Sequence, residues 1–409
     1  MLVCGGKVVL PDRVLDDGTV AIDETSGRIE AVSPLSRMQP RRPRPGENVL
    51  DVKGGIIAPG FMDLHVHGAW DADFMDGTLD AFEVVCAYHA LHGTTSLLAT
   101  STSAETDVIL RMLETTREAM THGTPGSQIL GAHLEGPWLN PAMKGCHLER
   151  HCRPPSPPER QAIMAHTSTI RRVTLSPEIE GCMDFARELH TAGIVVSAGH
   201  STMTYDEMLP AIEAGVRHVT HIFCAMSTTV RKGPWRHPGV LETTLVEDRL
   251  TTEMIADGKH LPLCLMQLVY RCKGADRLCL VSDAMRGAGM PPGGRYTFGP
   301  RDGSEVVIAD GVAMLPDMSA FASSITPLNE MVRNVVEMVR APLHEAVRMA
   351  SLTPARIIRV DDRKGSLEPG KDADLCIMDK DFGVKEVISR GQALDAGRLL
   401  AFAPGVPGQ

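Results

Sequence analysis

The middle of the chain alternates short apolar runs with longer amphipathic stretches. Short apolar runs bounded by turn residues predict strands buried on both faces, and the amphipathic stretches predict helices. The predicted strands are 60–66, 95–99, 129–135, 173–176, 194–198, 216–222, 252–256 and 278–282. The predicted helices are 79–91, 105–121, 157–169, 182–192, 205–214, 262–273 and 328–340. Strands that alternate with helices in this way indicate βαβ units and a parallel sheet.

The number of these units and the character of the two chain ends together predict the architecture. About eight units over roughly 300 residues favour a (β/α)8 TIM barrel over an open doubly wound sheet. No G-x-G-x-x-G or Walker-type loop follows a predicted strand, which weakens a nucleotide-binding alternative. Residues 1–54 and 365–409 contain short strand-like runs. We therefore predict a barrel over 55–364 and a small β-sandwich domain built from both termini, with a solvated loop at 39–45.

Composition narrows the range of partners and compartments. Hydrophobic residues make up 43% and charged residues 22%, as in ordinary globular proteins. The formal net charge of −10 gives no electrostatic support for a nucleic-acid partner. We find no long uncharged apolar stretch and no signal-peptide pattern, so we expect no membrane partner. The ten cysteines are scattered and form no C-x-x-C pair, which favours a cytoplasmic protein with reduced thiols.

Residues with ligand chemistry fall at the C-terminal ends of the predicted strands. In chain order they are His65 and His67 (first strand), Glu135 (third), His200 (fifth), His221 (sixth) and Asp283 (eighth). In a TIM barrel these strand ends converge on one face, where active sites are built. In any other layout the same residues would be scattered. The pattern therefore supports both the barrel and an active site at its C-terminal face.

Four histidines and one glutamate in this set have the chemistry of metal ligands. The alternation of a strand places His65 and His67 on one face, close enough to share a divalent cation. Alone, the pair is explained equally well as two polar residues at a strand exit, and a single histidine is more often structural than a ligand. The joint placement with Glu135, His200 and His221 reverses that judgement. We predict one or two divalent ions, with zinc expected and iron, manganese or cobalt as alternatives.

Two further residues can take part in catalysis. Asp283 follows an apolar run, where a carboxylate must be paired, metal-bound or catalytic. Beside a divalent ion it can accept a proton from the attacking water and pass it to the leaving nitrogen. His260 follows the seventh strand and can steady a carbonyl oxygen as charge develops. By contrast, His218 is three residues from His221, so we expect it on the opposite strand face as a structural residue.

Six segments together resemble the N-acetylglucosamine-6-phosphate deacetylases of the amidohydrolase superfamily. They are residues 58–68, 133–137, 197–201, 221–226, 255–260 and 281–285, and they occur in the family's order. The resemblance implies that Glu135, His200 and His221 are the main metal ligands and that His65 and His67 hold a second ion. It also implies that Asp283 is the base and that His260 binds the substrate carbonyl. The absence of lysine from 175–178 fits this branch rather than the hydrolases with a carboxylated lysine.

The chain departs from the family on the substrate side. The family binds its sugar phosphate partly through an H-x-F/Y-N-A-M segment and through the arginine of an R-E-P-G segment, which reaches across a homodimer. Here Cys224 replaces the asparagine before Ala225, and the second segment begins Arg236-His237. The small-residue loop of the family appears at 321–324 without its glycine. The resemblance implies that His147, Cys224, Ala225, Arg236 and His260 bind the substrate.

The expected reaction is hydrolysis of the N-acetyl group of N-acetylglucosamine-6-phosphate, which gives glucosamine-6-phosphate and acetate. Because the departures lie on the substrate side, the alternative is an amidohydrolase that acts on a related N-acyl substrate. Candidates are another N-acetylhexosamine, with or without the 6-phosphate, and an N-acyl amino acid. A barrel that has lost catalysis and serves only in binding should have lost ligands or the base, and this chain keeps them all.

Overall fold

A computed structural model describes residues 1–34 and 46–405 of the chain. The predicted loop at 39–45 lies outside the described residues. The predicted boundaries at 54/55 and 364/365 between the two domains stay a prediction. The architecture itself, a TIM barrel with a small β-domain, agrees with the sequence-based prediction.

In the described ranges, eight parallel strands form the wall of the barrel, and their order in the sheet follows their order in the chain. They are Phe61–Val66, Thr94–Thr100, Gln128–Glu135, Ile170–Leu175, Val195–Ala198, Val216–Val219, Thr251–Met254 and Leu278–Leu280. The wall closes where the backbone N–H of Asp283 donates to the carbonyl of His65 at 2.8 Å. All eight predicted strands are confirmed, with ends that differ by a few residues.

Helices surround this wall and bury their apolar faces against it. Among the described residues they are Leu79–Leu91, Thr106–His122, Pro157–Met164, Cys182–Thr191, Tyr205–Glu213, Val240–Val246, Leu263–Arg277, Leu328–Asn334, Leu343–Ala350, Leu352–Ile357 and Ala396–Leu400. A helical turn, Val335–Val339, continues the helix that begins at Leu328. The seven predicted helices are confirmed, and short ones such as Val240–Val246 were missed. None of the described helices combines the length and the apolar character needed to cross a bilayer.

Both termini contribute to a second sheet, which forms the small β-domain. Its strands in the described ranges are Leu2–Val9, Val14–Asp23, Arg28–Pro34, Val49–Asp51, Ile56–Pro59, Leu375–Met378, Val384–Ser389 and Gln392–Ala393. Ile56–Pro59 links the N-terminal and C-terminal strands of this sheet, because it runs parallel to Leu2–Val9 and antiparallel to Leu375–Met378. Side chains from both halves of this sheet, including Val20, Ile57 and Leu375, pack into a separate hydrophobic core.

Three small sheets decorate the connections. An exposed hairpin pairs Val230–Lys232 with Trp235–His237, and Gly68–Ala69 pairs with Ala72–Asp73. After the eighth barrel strand, Arg295–Phe298, Ser304–Ala309 and Val312–Met314 form a three-stranded sheet. The apolar face of that sheet packs with Cys146 and Met285, so it is fixed against the C-terminal end of the barrel. The sequence analysis did not predict these sheets.

Candidate metal centre and active site

The strand ends bring the predicted ligands around one carboxylate. Glu135 Oε1 lies 3.2 Å from Nε2 of His200 and 3.0 Å from Nε2 of His221. Its other oxygen, Oε2, lies 3.4 Å from Nε2 of His65 and 3.4 Å from Nε2 of His67. All five side chains are buried. Glu135 therefore stands between two pairs of imidazoles, and each pair completes a three-residue donor set with it.

The backbone turns sharply where the later residues of this set enter the pocket. His200, His221 and Asp283 have φ values of 50°, 25° and 45°, in the left-handed region. Such a conformation costs a non-glycine residue about 1–3 kcal/mol and persists only where the surrounding structure imposes it. Here it directs side chains that follow a strand back over the barrel mouth. Strained residues of this kind cluster at functional sites.

Hydrogen bonds at the far ring nitrogen settle the tautomers of two imidazoles. His200 Nδ1 lies 2.8 Å from the carbonyl oxygen of Met143, and His65 Nδ1 lies 3.1 Å from Glu253 Oε2. Both oxygens can only accept, so each Nδ1 carries a proton. Because Nδ1 holds a proton, Nε2 is the nitrogen that can present a lone pair to a metal in the pocket.

His147 is held in the opposite tautomer. Its Nδ1 accepts the backbone N–H of Ser103 at 3.1 Å, so the proton of the neutral ring sits on Nε2, 3.3 Å from Glu135 Oε2. Burial lowers the pKa of His147 to about 4, in spite of the opposing effect of Glu135, and keeps the ring neutral. His147 therefore offers a hydrogen-bond donor to the pocket rather than a lone pair for a metal.

Asp283 faces the first imidazole pair. Its Oδ1 lies 3.4 Å from Nε2 of His65 and 3.3 Å from Nε2 of His67, and it accepts a hydrogen bond from Ser323 Oγ at 3.2 Å. Burial alone would raise the pKa of Asp283, but the charge of His65 and the hydrogen bond with His67 hold it below its ordinary value. An ionised carboxylate in this place can accept a proton.

Charge balance shows that a divalent cation fits the donor set. Asp63, Glu135, Glu253 and Asp283 are buried carboxylates, and of these Glu253 forms an ion pair with the buried Arg172. Burial raises the pKa of Asp63 to about 7. Against the effect of burial, hydrogen bonds with Asp283 and Glu135 raise the pKa of His67 to about 9. Histidine and carboxylate donors whose atoms lie within 4.8 Å of one another suit one or two divalent ions that share Glu135.

A cavity of about 450 Å³ opens above these donors. Of the predicted site residues, Glu135, His147, His200, His221, Cys224, Ala225, His260 and Asp283 line it, and His65 and His67 lie beneath. His260 Nδ1 is 2.8 Å from Asp257 Oδ2, which fixes the ring. Burial raises the pKa of Cys224 to about 12, so its side chain is a neutral thiol. Arg236 is not brought to the cavity: it lies on the exposed hairpin, where it donates to the carbonyl of Pro234 at 2.9 Å.

Several residues at the site were missed by the sequence analysis. Phe298 packs its ring against His67 and His147, with ring centroids 4.8 and 5.4 Å apart, and Phe321 packs against His260 at 4.7 Å. Both follow the eighth strand in segments without a strand–helix pattern. The sequence does contain signals for three other residues that were missed. Arg172 and Glu253 are charged residues inside apolar strands, and Asp257 precedes His260 in the spacing D-x-x-H.

The prediction for His218 is wrong. Its ring lies inside the barrel, with Nδ1 2.7 Å from Thr251 Oγ1 and Nε2 3.7 Å from Glu253 Oε1. The alternation that we used to place it does not reach His221, because the strand ends at Val219 and the backbone then turns. The expectation that it is no ligand is unaffected, since no metal donor set of the described residues includes it.

Comparison with known proteins agrees with this geometry. The model of the amidohydrolase family matches residues 56–394, and the chain belongs to this family. Its members on this fold hydrolyse amide bonds with the help of a divalent metal, and the donor set described above fits that chemistry.

Two relatives within this family show to which enzymes the chain is similar over nearly its full length. The chain is 33% identical to the N-acetylgalactosamine-6-phosphate deacetylase of Escherichia coli O157:H7, over 94% of this chain and 97% of the relative. It is also 33% identical to the N-acetylglucosamine-6-phosphate deacetylase of Bacillus subtilis (strain 168), over 96% of each.

Solved structures give the same picture. The N-acetylglucosamine-6-phosphate deacetylase from Pasteurella multocida superposes with a TM-score of 0.87 at 29% identity, covering 96% of this chain and 98% of that one. A mutant of the Mycobacterium smegmatis deacetylase, in complex with N-acetyl-D-glucosamine-6-phosphate, also has a TM-score of 0.87, at 31% identity and with 96% and 99% coverage. The resemblance drawn from the motifs is confirmed.

Proposed function

We propose that this protein removes the N-acetyl group of N-acetylglucosamine-6-phosphate by hydrolysis, which releases acetate and glucosamine-6-phosphate. The observation that supports this most is the placement of Glu135 between two histidine pairs with Asp283 beside them, at the base of the cavity. The near full-length similarity to sugar-phosphate deacetylases supports the substrate.

Each residue of the site has its own role in the proposed amide hydrolysis. Glu135, His200 and His221 would hold a divalent ion, which would supply Lewis acidity to polarise an acyl carbonyl and to lower the pKa of water. Asp283 takes a proton from the attacking water as the new C–O bond forms. It then gives that proton to the nitrogen as the C–N bond breaks. His260, held by Asp257, steadies the carbonyl oxygen. His147 donates a hydrogen bond from its Nε2–H to a substrate oxygen.

We also propose the identity of the metal, the assembly and the location. Zinc is the first choice for a site of histidine and carboxylate ligands, with His65 and His67 holding a second ion. The ten cysteines of the described residues are all free thiols, which supports a location in the reducing cytoplasm. We propose a homodimer for a structural reason: of the described residues that line the cavity, none is lysine or arginine. A 6-phosphate then needs a cation from outside, and Arg236 of a second subunit can supply it.

A second candidate substrate is N-acetylgalactosamine-6-phosphate. Identity to the relative that carries this name is 33%, the same as to the Bacillus subtilis relative. Identity alone therefore does not separate the two sugars, which differ in the configuration of one hydroxyl group.

The test is acetate release by metal-loaded protein from three substrates: N-acetylglucosamine-6-phosphate, its galacto isomer and unphosphorylated N-acetylglucosamine. We expect fast release from the first, weaker release from the second and little from the third. Faster release from the galacto isomer would move the substrate to that sugar. Equal release with and without phosphate would reject the sugar phosphate as the substrate class.

A mixing experiment tests the homodimer and the role of Arg236. Neither an Arg236→Ala chain nor an Asp283→Ala chain should be active alone on the phosphorylated substrate. In a mixed dimer, one of the two cavities combines an intact Asp283 with an intact Arg236 from the neighbouring chain, so we expect up to about half of wild-type activity per mixed dimer. Absence of recovery in confirmed heterodimers would contradict a role in trans.

A further inference from the structure

A second layer of charge lies inside the barrel, directly beneath the donor set. Arg172 and Glu253 are both fully buried, and Nη1 of Arg172 forms an ion pair with Glu253 Oε1. The guanidinium also donates to Ser197 Oγ at 2.8 Å and to Thr220 Oγ1 at 2.8 Å. Neither Arg172 nor Glu253 lines the cavity, so the pair does not meet the substrate directly.

The other oxygen of Glu253 reaches both halves of the donor set. Oε2 lies 3.1 Å from Nδ1 of His65 and accepts the backbone N–H of His221 at 2.9 Å. The first contact determines which nitrogen of His65 bears the proton, and the second fixes the backbone just where φ of His221 is 25°. One carboxylate thus positions one donor from each side of Glu135.

Stability alone gives no reason for a charge pair at this depth. Taking two charges out of water costs several kcal/mol per ion, and an apolar pair of similar volume is often as stable or more stable. The bonds of Arg172 instead hold Glu253 in one orientation and compensate its charge, so that Oε2 remains an acceptor toward His65.

We propose that Arg172 and Glu253 form a positioning couple that sets the metal affinity of the centre through His65 and His221. The couple keeps the proton of His65 on Nδ1 and the lone pair on Nε2, where it faces Glu135 Oε2 at 3.4 Å. This inference rests on the proposed metal role of those two histidines.

The decisive variant removes both charges at once. Arg172→Met with Glu253→Met leaves no unpaired buried charge, so we expect a folded protein with a melting temperature near or above that of the wild type. His65 then has no acceptor at Nδ1, and either ring nitrogen can carry the proton. We expect the affinity for Co²⁺, followed by its visible spectrum in the stripped protein, to fall about 10–100-fold.

A matched control removes another buried ion pair far from the site. Lys364 Nζ lies 2.6 Å from Asp374 Oδ2 where the barrel meets the small β-domain, and both side chains are more than nine-tenths buried. Lys364→Met with Asp374→Asn should change the melting temperature but leave the Co²⁺ affinity at the wild-type value. A general loosening of the fold would lower the affinity in both double variants.

A single substitution tests the tautomer itself. In Glu253→Gln, Arg172 keeps its hydrogen bond to the amide oxygen, so the amide NH₂ points toward Nδ1 of His65. Because an N–H donor then faces Nδ1, the proton of His65 is favoured on Nε2. Nitrogen NMR of histidine-labelled protein, with His65 assigned by its loss in His65→Phe, should show this change. Wild-type metal affinity in the folded double variant, or an unchanged tautomer in Glu253→Gln, would overturn the inference.

The proposed metal centre can fail separately from this inference. If wild-type protein takes up Co²⁺ without any change in the resonances of His65 and His221, those residues are not ligands and both proposals fall. If they are ligands and both double variants bind like the wild type, only the positioning role is rejected.

Discussion

The floor and the rim of the cavity are built in different ways. The floor consists of His65, His67, Glu135, His200 and His221, all of them buried and all on a barrel strand or within two residues of its end. The rim consists of Phe223, Cys224, Ala225, Ala320, Phe321 and Ser323, which lie in connections outside the barrel wall. Phe321 in this rim is 40% exposed.

This difference separates two kinds of function. A donor set must hold its geometry within a fraction of an ångström, which side chains on packed strands can do. Substrate choice can change with the connecting segments while the barrel stays the same. The resemblance drawn from the motifs implies that the chain keeps the floor of its family and departs from the family at the rim. We therefore expect substitutions in the floor to affect catalysis and substitutions in the rim to affect substrate preference.

The largest effect is expected at the centre of the floor. In Glu135→Gln both imidazole pairs lose the shared anionic oxygen, so the protein should retain little metal after dialysis. A bound metal contributes several kcal/mol of transition-state stabilisation, and activity should fall by at least about 1,000-fold. Metal analysis and acetate release measure the two effects. A variant with full metal content and near-normal rate would mean that the floor is not the metal centre.

Asp283 should have the next largest effect. Asp283→Asn keeps the size of the side chain and removes the proton acceptor, so kcat should fall about 10²–10⁴-fold. Because Glu135, His200 and His221 remain, at least one metal equivalent should stay bound. The control is Asp276→Asn, a surface carboxylate that pairs with Arg348, which should behave like the wild type. Retention of more than a tenth of the wild-type kcat in Asp283→Asn contradicts its role as base.

A smaller loss is expected where the floor meets the rim. His260→Asn removes a group that steadies the carbonyl oxygen and should lower kcat about 100-fold. Asp257→Asn leaves the ring in place but weakens its orientation, so its loss should be smaller, about tenfold. The order of the two is the informative result, read from kcat on one substrate. If Asp257→Asn is the more harmful, Asp257 acts directly rather than through His260.

The smallest effect is expected at Cys224, within the rim. Cys224→Asn introduces the amide that the motif resemblance implies for this position, and one neutral hydrogen bond contributes about 0.5–1.5 kcal/mol. We expect KM for the sugar phosphate to change less than about tenfold, with kcat nearly constant. Cys224→Ser serves as the size-matched control. A kcat change as large as that of Asp283→Asn would erase the distinction between floor and rim.

The same contrast explains what the sequence alone could predict. Strand and helix periodicity predicted the barrel, and placement at strand ends predicted that His65, Glu135, His221 and their neighbours would meet. Periodicity placed His218 on the wrong strand face, because that placement was counted from His221. His221 lies beyond the end of the sixth strand, where the alternation no longer holds. Nor could it reveal that Arg172 and Glu253 contact each other, since that pairing across 81 residues depends on closure of the barrel. The rim was least predictable, because its segments follow no repeating pattern.

The central claim is that the floor holds the divalent metal on which amide hydrolysis depends. The direct test is acetate release from N-acetylglucosamine-6-phosphate by protein stripped of metal with a chelator, before and after one and two equivalents of Zn²⁺ are returned. We predict no release from the stripped protein, recovery on addition of zinc, and no recovery in Glu135→Gln. Full activity in protein that metal analysis shows to be free of divalent ions would contradict the account.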